Sequence, residues 1–226
     1  MQNSGELFEA FREDVVDTAQ PYLWTDLEVT RYADAAYRMF VRLIGGIADI
    51  SSDATVVDVI TGENLTTLHP SILRVMDATL RSDSTPLYVV NGVGASTIDK
   101  DYGLQVRSWR QNLPGAVSCV VHGMERGKLA LISTPVVDDT IDMHIYRLPL
   151  VNIVDDAHPL DEVDGDHHLY LLDWMKHLAY KKQDSETFDK SKSDECENNF
   201  RKYCAQVKAE HERYKHKNRV VQYAEY

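Results

Sequence analysis

Cysteine is scarce in this chain, and its three cysteines do not suit a disulfide framework or a metal site. Cys119, Cys196 and Cys204 are an odd number, lie far apart and form no C-x-x-C pair. Structural disulfides persist mainly in oxidising compartments. The sequence therefore predicts folding in a reducing cytosol, with each thiol packed as a small apolar group rather than used as a nucleophile.

Long hydrophobic runs and a secretion signal are also missing. No apolar stretch approaches the ~20 residues that span a bilayer. The first residues do not combine a basic segment with an apolar one, as a signal peptide does. We therefore expect neither secretion nor contact with a membrane.

Lysine and arginine are fewer than aspartate and glutamate in this chain. The formal net charge is −12 at pH 7. Proteins that bind nucleic acid tightly neutralise its phosphates with lysine and arginine, so this charge argues against such binding. An acidic surface instead suits a channel wall past which DNA slides, because bound phosphates would hold the DNA back. Hydrophobic residues at 43% and charged residues at 27% are typical of a folded globular chain.

Signature motifs of nucleotide-binding and hydrolytic enzymes are absent from the sequence. There is no G-x-x-x-x-G-K-[ST] loop and no G-x-S-x-G turn. The run Asn91-Gly92-Val93-Gly94 follows an apolar segment, but the third glycine of a dinucleotide motif would fall at Thr97. His69 and His144 have no motif partner. The sequence thus predicts no catalytic residue and no cofactor.

One acidic segment offers oxygen and imidazole groups that could bind a metal. Its members are Asp155, Asp156, His158, Asp161, Glu162, Asp164, Asp166, His167 and His168. A metal-dependent hydrolase using this cluster is the alternative function that the sequence leaves open. The segment lacks the spacing of a calcium-binding loop and precedes a helix, where carboxylates favour the helix dipole. We interpret it as a solvated loop.

Both ends of the chain have helical periodicity. Apolar residues three and four apart predict a first helix that ends at Pro21. A second helix begins at Thr25, which forms a capping box with Glu28, and stops at Gly45-Gly46. A third begins near Leu169 and a fourth follows, with an inner stripe of Phe200, Tyr203, Cys204, Val207, His211 and Tyr214.

The middle of the chain alternates with the two-residue period of strands. Six runs rich in β-branched residues lie between glycine, proline and asparagine turns. They are Thr55 to Ile60, Ile72 to Leu80, Leu87 to Asn91, Val117 to His122, Lys128 to Ser133 and Thr140 to Arg147.

The predicted fold class is α+β. A four-helix bundle, built from two N-terminal and two C-terminal helices, carries a β-rich insertion between helices 2 and 3. The bundle takes residues 1–50 and 155–217, the insertion 51–154, and an extended tail 218–226. Aromatic side chains bury the largest areas, and those expected to pack the bundle are Phe11, Trp24, Tyr32, Tyr37, Trp174, Tyr180 and Phe188.

The C-terminal segment combines basic residues with alternating apolar ones. Nothing in the tail can bury itself, so it should dock on another protein. The residues expected to dock are Arg213, Lys215, Lys217, Arg219, Val221, Tyr223 and Tyr226.

Motifs along most of the chain resemble one known family. The N-terminal motifs are Phe11-Arg12-Glu13-Asp14, Asp17-Thr18, Pro21-Tyr22-Leu23-Trp24 and Glu28 followed by Tyr32-Ala33. The C-terminal motifs are Arg147-Leu148-Pro149-Leu150, His168, Leu171, Trp174, Ala179-Tyr180, Asp184 and Glu186-Thr187-Phe188-Asp189. Pro86-Leu87 and Gly127-Lys128-Leu129 fit in register, whereas residues 92–114 do not match. Together they resemble the tailed-bacteriophage head-to-tail connector adaptors.

The resemblance implies a structural virion protein without enzymatic activity. Such subunits fold in the host cytoplasm and form a ring of twelve copies at the head–tail interface. The ring joins the portal protein to a tail or nozzle protein, and genome DNA passes through it without specific binding. The portal is the implied partner of the docking tail. Another tail-tube or virion component is the remaining alternative.

Overall fold

The computed structural model describes residues 1–91, 113–184 and 186–215, and the chain divides into two compact units. The helical unit comprises Met1–Gly45 and Val151–Tyr226, and the sheet unit comprises Gly46–Leu150. The helical unit is therefore assembled from both ends of the chain.

Within its described part, the helical unit has four α-helices of unequal length. They are α1 (Ser4–Asp14), α2 (Asp26–Ile44), α3 (His168–Lys181) and α4 (Lys190–Lys215). The capping box of Thr25 and Glu28 starts α2, and Gly45 ends it with a left-handed φ of 104°. Both predicted signals are confirmed. Helix α3 contacts each of the other three helices, so it forms the centre of this unit.

A buried carboxylate shapes the connection between α1 and α2. Asp17 accepts hydrogen bonds from the amides of Leu23 and Trp24 at 2.8 and 3.3 Å. Its partner Arg12 donates to it at 2.7 Å and also reaches Asp26 at 2.6 Å. These bonds fix the bend that the chain makes before α2.

The sheet unit contains eight described strands in one mixed sheet. They are β1 (Ile47–Asp49), β2 (Val56–Val59), β3 (Leu65–Thr67), β4 (Ile72–Leu80), β5 (Pro86–Asn91), β6 (Cys119–His122), β7 (Lys128–Ile132) and β8 (Asp139–Arg147). The order is β1-β8-β4-β5-β6-β7-β3, with β2 also paired to β8. The β5–β6 pair is parallel, and the other pairs between these eight described strands are antiparallel.

The sheet curls into a half-barrel around its own core. The inner face buries apolar side chains from strands across the sheet, among them Val75, Val120, Leu129, Ile141 and Ile145. Curling brings the edge strands β2 and β3 together, where the Thr66 hydroxyl donates to the Asp58 carbonyl oxygen at 2.9 Å. This approach covers part of each strand edge that would otherwise be exposed.

The predicted fold class, a four-helix bundle carrying a β-rich insertion, is wrong. The chain is α+β with four described helices, but the curled eight-stranded sheet dominates the middle. The six predicted strands are present, whereas β1 and β3 were missed because three residues are too few to show an alternating pattern. The predicted inner stripe of α4 also ends early, since Val207 is buried and His211 is exposed.

Candidate interaction surfaces

The acidic segment anchors α1 through its backbone. The amides of Ser4 and Gly5 donate to the carbonyl oxygens of His158 and Asp156 at 2.9 and 2.7 Å. The Ser4 hydroxyl also donates to the Asp155 carbonyl oxygen at 2.7 Å. First-turn amides of a helix lack partners within it, so this segment satisfies them. Its contacts are those of a structural loop.

The side chains of this segment do not form a metal centre. Asp155, Asp156, Asp161, Asp164 and Asp166 are exposed. Among the described residues, no group of three or more histidines, cysteines or carboxylates could hold a metal ion.

The two histidines that follow the acidic loop are used in packing. Both ring nitrogens of buried His168 face backbone carbonyl oxygens, those of Met1 and Val163, at 2.9 and 2.8 Å. His167 contacts the Tyr203 hydroxyl at 2.7 Å, and burial lowers the pKa of its imidazole. Neither imidazole is presented to solvent as a metal ligand.

A serine, a histidine and a glutamate meet between α3 and α4, in a grouping that the sequence did not reveal. Ser193 Oγ and Glu197 Oε2 lie 3.0 and 3.8 Å from the same nitrogen of His177, Nδ1. That nitrogen also faces the Ser193 carbonyl oxygen at 3.1 Å, a group that can only accept a hydrogen bond. Ser193 is also buried, and its hydroxyl donates to the His177 carbonyl oxygen at 3.0 Å. The grouping ties two helices together and is not a nucleophilic site.

The cysteines have the packed environments that the sequence predicted for small apolar groups. Cys119 and Cys204 are buried, and burial raises the pKa of their thiols to about 11 and about 12. Cys196 is partly buried, and burial raises its pKa as well. Thiols shifted in this direction stay protonated at neutral pH and are poor nucleophiles.

The aromatic residues expected to pack the helices occupy different environments. Phe11, Trp24, Tyr37 and Trp174 are buried, and Tyr32 and Tyr180 are partly buried. The Trp24 ring contacts those of Phe11 and Tyr180 edge to face, with centroids 5.9 and 6.3 Å apart. Phe188 is 51% exposed and lies at the rim of a small cavity with His177 and Lys181, so it does not bury the area expected of it.

Most of the predicted docking residues lie outside the described part of the chain. Arg213 is exposed on the last turn of α4, and Lys215 is the last residue of that helix. Lys217, Arg219, Val221, Tyr223 and Tyr226 follow it, outside the described residues.

An open groove of about 670 Å³ runs between α1, the α1–α2 connection, α2 and residues 154–156. We call it the acidic groove. Its lining carboxylates are Glu9, Asp26, Asp155 and Asp156, and its lining cation is Arg12. Because Arg12 is already paired with Asp17 and Asp26, the remaining charge of the groove is negative.

Apolar side chains share the walls of the acidic groove. Leu27 and Val154 are 60% and 71% exposed, and the partly buried rings of Phe8 and Tyr22 lie beside them. The Tyr22 ring is stacked on the Arg12 guanidinium, whose carbon lies 3.8 Å from the ring centroid. The acidic groove therefore offers negative charge and apolar surface side by side, a combination that sequence reasoning missed because its residues come from distant parts of the chain.

A second exposed apolar surface lies on the sheet unit. Val136 and Val137 in the β7–β8 connection line a groove of about 300 Å³ with Val59 and Leu80. Asp138 and Asp139 beside them accept hydrogen bonds from the hydroxyls of Thr61 and Ser82 at 2.7 and 2.6 Å. These bonds hold the loops at this end of the sheet in a defined arrangement.

In the described part of the chain, no helix has the length and apolar character needed to cross a membrane. Comparison with family models matches residues 2–221 to the model described as SU10 adaptor protein. No curated protein matches the chain. The family match covers residues of both the helical and the sheet unit.

Proposed function

The chain belongs to the SU10 adaptor protein family, and from this we propose that it is a subunit of the adaptor ring joining a bacteriophage portal to the tail. As a structural adaptor it is a virion component. The proposed ring is a homo-oligomer of twelve copies, with the portal on one side and a tail or nozzle protein on the other. Genome DNA would pass through the ring during packaging and ejection.

The extent of the family match carries this proposal. Because the match takes in residues 2–221, it includes both units rather than a shared helix pair alone. The formal net charge of −12 adds physical support, because an acidic channel wall repels phosphates and lets DNA slide.

No observation on the described residues favours the metal-dependent hydrolase. The acidic segment contributes backbone carbonyl oxygens to α1, and its carboxylates are spread over an exposed loop. We propose that the chain has no enzymatic role.

Co-assembly with the portal protein of the same phage tests the proposal. The two chains are expressed together, separated by sedimentation, and the particles are imaged. We expect a ring of this chain coaxial with the portal ring, and the mass of the complex gives the number of copies. A chain that neither self-associates nor sediments with the portal would overturn the proposal.

A further inference from the structure

The C-terminal segment of the chain is basic and aromatic, whereas the acidic groove is negatively charged. Residues 213–219 contain four cations, Arg213, Lys215, Lys217 and Arg219, and no carboxylate. The following residues alternate apolar and aromatic groups, among them Val221, Tyr223 and Tyr226. Positive charge followed by aromatic side chains complements the negative charge and exposed apolar walls of the acidic groove.

We propose that the basic–aromatic segment of one copy, residues 213–226, docks in the acidic groove of the neighbouring copy. This inference rests on the proposed adaptor function and names the contact that closes the ring. The family resemblance instead implies the portal as the partner of this segment. The chain itself supplies both complementary surfaces, which favours a neighbouring copy.

The chemistry of the groove defines how the segment is held. Glu9 on α1 and Asp156 in the segment 154–156 are exposed carboxylates that line the groove and would attract Lys217 and Arg219. Leu27 and Val154 leave apolar surface that tyrosine rings can cover. Charge steers the encounter and apolar burial slows dissociation.

The symmetry of such a contact fits a ring. The groove and the segment are different surfaces, so each copy gives its segment to one neighbour and receives a segment from another. Contacts of this heterologous kind generate closed rings when the rotation between copies closes.

Charge reversal on each surface provides the test, with the full-length chain as the starting protein. The groove variant carries Glu9→Lys and Asp156→Lys, and the tail variant carries Lys217→Glu and Arg219→Glu. Each variant alone should self-associate at least tenfold more weakly than the parent in sedimentation velocity. Glu13→Lys is the matched control, because this exposed acid lies on α1 but outside the groove. It should assemble like the parent.

Mixing the two variants separates docking between copies from docking within one copy. In the mixture, the unchanged segment of the groove variant meets the unchanged groove of the tail variant, and the two reversed surfaces also match. Equimolar mixing should therefore restore assembly. A mixture that stays dissociated, while one chain carrying all four substitutions recovers, would place the segment in its own groove and overturn the inference.

The portal assay keeps this inference distinct from the proposed function. Variants that assemble like the parent but no longer sediment with the portal would show that the segment docks on the portal. That result would leave the proposed adaptor function intact and would contradict docking of the segment on a neighbouring copy. A parent chain that binds neither itself nor the portal would overturn the adaptor function itself.

Discussion

Asp49 and Arg147 form a buried ion pair that joins β1 to β8. Arg147 donates through Nε to Asp49, whose carboxylate also accepts from the amides of Ser51 and Ser52 at 3.0 and 3.1 Å. Burial opposes ionisation of this carboxyl, but hydrogen bonds from Ser52 and Arg147 outweigh it and hold the pKa of Asp49 well below its usual range. The pair secures a strand of only three residues.

Replacing Asp49 with Asn should destabilise the sheet unit by about 3–5 kcal/mol, because the buried guanidinium of Arg147 then loses its carboxylate. Chemical denaturation measures the change. Asp142→Asn is the control, since its pair with Arg81 is exposed on both sides and should contribute little. Equal losses of unfolding free energy in the two variants would contradict a larger contribution from the buried pair than from the exposed one.

The same carboxylate gives stability a defined pH dependence. A lowered folded-state pKa contributes stability that is fully present above the unfolded value of about 3.9 and is lost as pH falls through the folded value. The free energy of unfolding of the parent should therefore fall as pH decreases below about 4. In Asp49→Asn this decline should be shallower, and matching slopes in titrations of both proteins would argue against Asp49 as the cause.

Trp174 and Phe188 provide a second pair of contrasting residues. Trp174 is 7% exposed and contacts the Phe200 ring with centroids 5.1 Å apart, so Trp174→Ala should cost about 3–5 kcal/mol. Phe188→Ala should cost less than about 1.5 kcal/mol, because half of that side chain is already exposed. Melting temperatures of the two variants measure these losses of stability. A larger loss for Phe188→Ala than for Trp174→Ala would mean that the Phe188 ring is covered in solution.

At the scale of elements, α2 begins and ends where local chemistry dictates. The Thr25 hydroxyl accepts from the Glu28 amide at 3.3 Å, and the Glu28 carboxylate accepts from the Thr25 amide at 2.9 Å. Lys182 also donates to Glu28 at 2.8 Å, and this bond is the largest cause of the lowered pKa of Glu28. The start of α2 is thereby tied to the end of α3.

Thr25→Ala should destabilise the helical unit by about 1 kcal/mol, because the Glu28 amide in the first turn of α2 loses its acceptor. Thr30→Ala is the matched control, since the Thr30 hydroxyl donates to the Asp26 carbonyl oxygen and satisfies no orphan amide. Denaturant midpoints should therefore shift for Thr25 and stay nearly constant for Thr30. A larger shift for Thr30 would refute the capping argument.

At the scale of the whole molecule, the absence of a clustered ligand set among the described residues predicts indifference to divalent metals. Calorimetric titration with Ca²⁺, Mg²⁺ or Zn²⁺ should give no saturable heat, and a chelator should leave the melting temperature unchanged. Saturable binding that disappears when Asp161 and Asp164 are replaced by Asn would revive the metal-dependent alternative.

The sequence by itself determined the elements with strong local signals. Helix α2 was predictable because its cap, apolar stripe and terminal glycines act within a few residues of one another. The nine-residue strands β4 and β8 were predictable because their alternation is long enough to be recognised. The family could also be identified, since its motifs lie along most of the chain.

Only the tertiary structure decided how far the sheet extends and where the candidate docking surface lies. The short strand β1 exists because β8 offers it backbone partners and Arg147 offers Asp49 a charge, and neither partner is near it in sequence. The acidic groove likewise joins Glu9, Leu27 and Asp156, which lie far apart along the chain. Local propensity acts over a few residues, whereas a sheet edge or a groove depends on contacts between segments that only the folded chain brings together.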